Sequence, residues 1–145
     1  MREIVVDEFA GALDLVIDDA SHKYGPTKAS FEAVFPRVRP GGLYIIEDWA
    51  WAHWSAFQSP DHRWARHEAL TTLIFEVTEA LGSAPDVVAS IAIFQGFAVI
   101  ERGDAELPDD FRLSGHITRR PEARSPGSRV RRLSSRVRRR LARLR

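Results

Sequence analysis

Two short apolar runs, each ending in a pair of acids, dominate the first half of the sequence. Residues 13–17 run into Asp18 and Asp19, and residues 43–46 run into Glu47 and Asp48. Short apolar runs that end abruptly in polar residues are typical of buried parallel strands. The pattern therefore predicts two parallel strands with acidic carboxyl ends.

A helical pattern lies between the two runs. Apolar residues recur at helical spacing over residues 30–38, and Pro40-Gly41-Gly42 ends the pattern. This order predicts a strand–helix–strand unit with a right-handed crossover. Ligands of such sheets bind beyond the carboxyl ends of the strands. We therefore expect both acidic pairs to meet at one rim of an α/β sheet.

The second half of the chain predicts one long helix and a hairpin. Ser59-Pro60-Asp61 has the composition of a helix start, and the helix is expected to run to about Leu81 and end at Gly82. Residues 87–94 and 97–101 flank Gln95-Gly96, a two-residue turn that suits a hairpin. Residues 4–12 are ambiguous and fit the end of a helix.

Composition narrows the class of protein. A chain of 145 residues suits one domain. It has no cysteine, which excludes disulfides and thiolate metal sites and is compatible with a reducing cytoplasm. No apolar run reaches the roughly 18 residues of a membrane span, and the acidic N-terminus does not resemble a secretory signal. The sequence predicts a soluble, cytoplasmic protein.

Charge is divided unevenly along the chain. The last 30 residues contain 12 arginines and one acid, so residues up to Gly115 hold 9 of the 21 basic and 19 of the 20 acidic residues. Apolar residues between Val130 and Leu144 recur at helical spacing. We expect a basic amphipathic helix over 129–145 that contacts an anionic membrane or nucleic acid nonspecifically. The alternative is a solvated or disordered extension, which could dock on the acidic body.

The acidic rim is a candidate metal site. Asp19, Glu47 and Asp48 offer hard oxygen ligands, which favour Mg²⁺ and leave Mn²⁺ and Ca²⁺ open. His22 follows Asp19 by three residues and could take a proton from a hydroxyl held by the metal. The alternative is that these acids are solvated strand ends, with Asp18 capping the next turn.

Tryptophans form the second unusual feature. Trp49, Trp51 and Trp54 directly follow the second acidic pair and could wall an acceptor pocket, because aromatic faces suit sugar rings and flat ligands. The alternative is a packing cluster, which we favour for Trp64.

The motifs resemble a known group of enzymes. Val-Ile-Asp-Asp-Ala-Ser-His at 16–22, Pro-Gly-Gly at 40–42, Ile-Glu-Asp at 46–48 and the hairpin at 94–103 resemble the class I S-adenosylmethionine-dependent methyltransferases of the macrolide-sugar O-methyltransferase and cephalosporin-hydroxylase-like group. Ala20 stands where that group usually has glycine. The resemblance extends over residues 13–103. It implies a truncated doubly wound, Rossmann-like sheet, comprising strands 4 to 7 with a terminal β-hairpin.

The resemblance also implies roles for the rim residues. Asp19, Glu47 and Asp48 would bind magnesium, and His22 would be the general base. Asp18 would contact the cofactor, S-adenosylmethionine. The methyl acceptor would be a small molecule with a hydroxyl group, such as a sugar or related natural product.

The cofactor half of the expected fold has no counterpart in the sequence. The first strand begins about a dozen residues from Met1, and no Gly-x-Gly-x-x-Gly turn occurs. We therefore expect a fragment, with the methyltransferase part at 1–115, a linker at 116–128 and the basic segment at 129–145. An exposed strand edge favours a homo-oligomer or a complementing N-terminal half. The alternative function is an inactive fragment that associates with membrane or nucleic acid through its tail.

Overall fold

A computed structural model describes residues 13–121 of the chain. The predicted basic segment at 129–145, most of the predicted linker at 116–128 and the ambiguous residues 4–12 lie outside this range. The proposed contact of the tail with an anionic surface therefore remains a prediction. Within residues 13–121, no helix has the length and apolar character needed to cross a membrane.

Residues 13–121 form four strands and two α-helices, together with short 3₁₀ turns. The strands are β1 (Leu13–Asp18), β2 (Val38–Glu47), β3 (Val88–Ile93) and β4 (Phe97–Arg102), and the helices are α1 (Tyr24–Val34) and α2 (Thr71–Ser83). The sheet order is β1-β2-β4-β3, with β1 parallel to β2 and the other pairs antiparallel. The predicted mixed α/β architecture is confirmed at this level.

The unit β1-α1-β2 matches the predicted strand–helix–strand, but its second boundary differs. The helix ends at Val34, a short 3₁₀ turn covers Phe35–Arg37, and β2 begins at Val38. Pro40-Gly41-Gly42, expected to precede the strand, lies inside it at a shift in register where Gly41 has a φ of 72°. Glycine adopts that left-handed conformation without steric strain. The strand therefore continues through a Pro-Gly-Gly segment that would normally end a strand.

The core lies on one face of the sheet. Tyr44, Ile46 and Ile100 on the strands are fully buried against the two helices. The Phe31 ring on α1 stacks on Phe35 with centroids 4.4 Å apart and meets the Tyr44 ring edge-on at 5.0 Å. These aromatic contacts fix α1 across β2, which also fixes the direction of the loop that enters α1.

The opposite face of the sheet is open and apolar. Leu15 and Ile17 pair in register with Leu43 and Ile45, and Leu15 and Ile17 are 50% and 56% exposed. Parallel strands are normally covered on both faces. Within the described residues, the outer edge of β1 also has no partner strand. We call the side chains of Leu15, Ile17, Leu43, Ile45 and Phe97 the open face.

The predicted helix over 59–81 is wrong for its first half. Residues 59–70 form turns, and α2 begins only at Thr71. The Ser59 hydroxyl accepts a hydrogen bond from the Asp61 amide at 3.3 Å, which makes a local turn instead of a helix cap. Regular apolar spacing starts at Leu70, so the preceding residues lack the stripe that tertiary packing would stabilise as a helix.

Two glycines provide a matched test of this packing. A Cβ on Gly103 would lie 2.0 Å from the Asp86 carbonyl oxygen, whereas a Cβ on Gly82 in α2 meets nothing within 4 Å. We expect Gly103→Ala to lower the free energy of unfolding by roughly 1–3 kcal/mol through overpacking. Gly82→Ala should raise it by up to about 1 kcal/mol through helix propensity. Urea unfolding measures both, and equal effects would contradict the packing described.

Candidate metal centre

The loops that follow β1 and β2 converge at one rim of the sheet. Asp18 is in register with Ile46, so the residues that follow each strand start side by side. Asp19, His22 and Asp48 each present a ligand atom within 4.8 Å of the other two. The His22 Nε2 lies 3.6 Å from Asp19 Oδ1, with the Asp19 side chain 60% exposed and that of His22 22% exposed. The predicted meeting of these three side chains is observed.

Two of these three residues have an unusual backbone conformation. His22 has a φ of 52° and Asp48 a φ of 50°, and no other non-glycine residue of the described chain has a positive φ. Such conformations cost about 1–3 kcal/mol each and persist only where the surroundings enforce them. The two loops are therefore held in place by contacts elsewhere.

The β3–β4 hairpin supports the Asp48 loop. The Asp48 amide donates to the Gly96 carbonyl oxygen at 2.6 Å, and the Trp49 indole Nε1–H donates to the Phe94 carbonyl at 2.8 Å. Gly96 belongs to the predicted two-residue turn and Phe94 directly precedes that turn, and the Phe94 amide in turn donates to the Phe97 carbonyl oxygen across it. A hairpin remote in sequence thus sets the position of one candidate ligand.

Trp51 supports the His22 loop. Its indole Nε1–H donates to the His22 carbonyl oxygen at 2.6 Å. The Trp51 ring is 4% exposed and packs against Phe57 and Trp64, with ring centroids 5.6 Å and 5.0 Å away. The packing role favoured for Trp64 fits this cluster, although Trp64 lies in a turn and not on a helix.

Glu47 is not part of the three-residue group. Side chains alternate along a strand, and Ile46 is buried on the helix face, so Glu47 lies on the side of the open face, where it pairs in register with Phe97. Its predicted role as a metal ligand remains a prediction. The sequence placed Glu47 at the rim, but a strand residue and a loop residue at the same end of a sheet need not face the same point.

Asp18 lies on the helix face of β1. Its side chain is buried and accepts a 2.7 Å hydrogen bond from the Tyr44 hydroxyl. Burial, together with the negative charge of Asp18, holds the pKa of Tyr44 well above its usual value. Tyr44 is therefore a permanent donor at physiological pH. The predicted cofactor contact of Asp18 stays a prediction.

The donor set fits a hard divalent cation. The carboxylates of Asp19 and Asp48 suit Mg²⁺ and Mn²⁺, whereas imidazole suits softer transition metals, so His22 fits a place beside the cation better than a ligand position. Ligands of octahedral Mg²⁺ lie about 3.0–4.2 Å apart, from bonds of about 2.1 Å. Separations of up to 4.8 Å need only a small inward movement, and the exposed Asp19 side chain is free to make it.

A cavity of about 250 Å³ lies beside the aromatic cluster. The residues that line it include Trp51, Phe57 and Trp64, together with Ser59 and His67. Lys23, next to His22, places its ammonium group 5.9 Å from the centroid of the Trp64 ring. The aromatic loop predicted as an acceptor wall thus contributes Trp51 to this cavity. Trp49 is instead engaged with the hairpin turn.

Known proteins resemble part of this chain. The chain is 55% identical over 47 residues to mycinamicin VI 2''-O-methyltransferase of Micromonospora griseorubida, which is 32% of this chain and 12% of that protein. It is 48% identical over 48 residues to 8-demethyl-8-alpha-L-rhamnosyl tetracenomycin-C 2'-O-methyltransferase of Streptomyces olivaceus, or 33% of this chain and 13% of that one. The resemblance to macrolide and sugar O-methyltransferases is confirmed.

The extent of the similarity is limited. The matched stretches span about an eighth of the length of these curated relatives. A solved structure, the MycE methyltransferase from the mycinamycin biosynthetic pathway in complex with Mg, SAH and mycinamycin VI, is 34% identical. The match covers 63% of this chain and 25% of MycE with a TM-score of 0.48. No family model matches the chain.

The Tyr44–Asp18 bond gives a stability test at the rim. Tyr44→Phe leaves a buried carboxylate without its donor, and we expect the free energy of unfolding to fall by about 1–3 kcal/mol. Tyr24→Phe is the matched control, because the Lys28–Glu76 ion pair at 2.8 Å remains when the Tyr24 hydroxyl is removed. Urea unfolding measures both variants, and a larger loss in Tyr24→Phe would contradict the assignment.

Proposed function

We propose that the chain carries the metal-and-base half of an S-adenosylmethionine-dependent O-methyltransferase that acts on a hydroxyl of a sugar or related natural-product acceptor. The observation that carries this proposal is the convergence of Asp19, His22 and Asp48 to within 4.8 Å. The relatives support it, since they are named as sugar and macrolide O-methyltransferases. The MycE structures, which hold Mg and SAH, are consistent with the same cofactors.

The proposed roles follow from chemistry and position. Asp19 and Asp48 would hold Mg²⁺, with Glu47 as a further ligand if its side chain turns toward the rim. A bound divalent cation lowers the pKa of an acceptor hydroxyl and fixes its position. His22 would accept the hydroxyl proton, since its Nε2 lies 3.6 Å from Asp19 Oδ1 and a hydroxyl beside Asp19 is therefore within its reach.

We infer that the four strands correspond to strands 4, 5, 7 and 6 of a class I methyltransferase sheet. The order β1-β2-β4-β3, with a parallel pair followed by an antiparallel hairpin, supports this numbering. Asp18 would then lie where the cofactor is contacted. Residues 13–121 contain no Gly-x-Gly-x-x-Gly turn. We therefore propose that a polypeptide segment outside these residues binds most of S-adenosylmethionine.

The metal assignment predicts a selective loss of binding. We expect Asp19→Asn and Asp48→Asn each to weaken Mg²⁺ binding by at least about tenfold in calorimetry, because even outer-shell partners contribute that much to metal sites. Asp61→Asn, an exposed acid in the 59–70 turns, is the control and should bind as the wild type does. Glu47→Gln decides whether Glu47 is a ligand. Unchanged binding in both Asp19→Asn and Asp48→Asn would refute the site.

The open face predicts self-association. The sheet exposes Ile17 at 56%, and an apolar sheet face beside an edge that has no partner strand within residues 13–121 favours contact with a second copy or a complementing half. We expect Ile17→Lys to lower the sedimentation coefficient of the isolated chain toward that of a monomer. Phe75→Lys, which removes an apolar residue of α2 that is 65% exposed, should not. A wild-type chain that is monomeric at tens of micromolar would exclude the homo-oligomer.

A further inference from the structure

One residue contacts both loops of the candidate metal centre. The Trp51 backbone amide donates to the Asp48 carbonyl oxygen at 3.5 Å, and its indole Nε1–H donates to the His22 carbonyl oxygen at 2.6 Å. Asp48 and His22 are the two residues with left-handed backbone conformations. Trp51 therefore connects the two unfavourable conformations on which the convergence of the three side chains depends.

The Trp51 indole cannot turn away easily. The side chain is 4% exposed, and the rings of Phe57 and Trp64 pack on it at 5.6 Å and 5.0 Å between centroids. Phe57 and Trp64 also contact each other at 5.6 Å, which closes a triangle of rings. An indole fixed in this way presents its N–H in a constant direction, which is the condition for a hydrogen bond to orient a loop.

His22 needs orientation from its backbone. Histidines at metal and catalytic sites are usually aligned by a hydrogen bond on the ring nitrogen that is not in use. Here the His22 Nδ1 is buried and has no hydrogen-bond partner among the described residues. With no hydrogen bond at Nδ1, the position of the imidazole depends more strongly on the backbone conformation of His22, and the side chain that bonds that residue's carbonyl is Trp51.

We propose that Trp51 is a positioning residue, whose indole N–H holds the left-handed His22 loop against the Asp48 loop so that Asp19 and Asp48 can bind one cation with the His22 imidazole beside it. This inference rests on the proposed function but assigns Trp51 a role different from that of an acceptor-pocket wall. Its effect is exerted through His22 and Asp48, with no direct contact to the metal.

The test uses the full chain and Mn²⁺ as the probe. Trp51→Phe removes the N–H and keeps an aromatic ring, and we expect Mn²⁺ affinity, followed by electron paramagnetic resonance, to fall about tenfold. Trp54→Phe is the matched control, because the Trp54 side chain is 36% exposed and makes a ring contact only to Phe57 within the described residues. Trp54→Phe should leave the affinity unchanged.

A second readout needs no metal. In backbone NMR spectra of the metal-free protein, Trp51→Phe should shift the signals of His22, Lys23 and Asp48, while Trp54→Phe should leave them in place. If Trp51→Phe does not fold, benzothienylalanine at position 51 replaces it, since sulfur takes the place of the N–H in a ring of the same shape.

The outcomes separate the two proposals. Wild-type affinity together with wild-type signals at His22 and Asp48 in the Trp51 variant overturns the positioning role. A wild-type chain that does not bind Mn²⁺ refutes the proposed metal function, and the metal-free spectra then decide the role of Trp51 alone: shifts confined to the Trp51 variant support it, and their absence overturns it.

Discussion

The parallel pairing of β1 with β2 is the constraint on which the candidate site depends. Parallel strands end at the same edge of a sheet, so the pairing of Asp18 with Ile46 sets the two acidic loops side by side. An antiparallel arrangement of the same two segments would send the loops to opposite ends. The crossover helix α1 makes the parallel pairing available, and its aromatic packing on Tyr44 keeps the two strands in one layer.

Much of this arrangement could be predicted from the sequence. Apolar runs that end in acids located β1 and the end of β2, and Gln95-Gly96 located the hairpin, because strand burial and turn chemistry are both local signals. The helix wrongly predicted over residues 59–70 also rested on a local signal. A proline and an acid after a serine serve a turn as well as a helix start, and only the absence of an apolar stripe distinguishes the two.

The finer geometry of the site could not be predicted in the same way. Membership of the three-residue group depends on the φ angles of His22 and Asp48, and a sequence does not show which non-glycine residues will be left-handed. The Trp51 bond to His22 joins residues 29 apart, and nothing in the spacing of the tryptophans distinguishes Trp51, which bonds the His22 loop, from Trp49, which bonds the hairpin. For Glu47 the sequence predicted the position but not the orientation: its place next to Asp48 puts it at the rim, but it does not determine which face of the sheet the side chain lies on.

The one-sided sheet has a consequence for how the sequence can change over time. Along β2, Tyr44 and Ile46 are enclosed by the helices, while Leu43 and Ile45 lie on the open face. A polar substitution at an enclosed position would destabilise the fold and be lost. The same substitution at the next residue, on the open face, would be tolerated, so tolerance would alternate along the strand. If descendants of this sequence keep apolar residues at the enclosed positions and at the open-face positions, a partner that covers the open face is indicated. If the open-face positions change to polar residues, the sheet functions without such a partner.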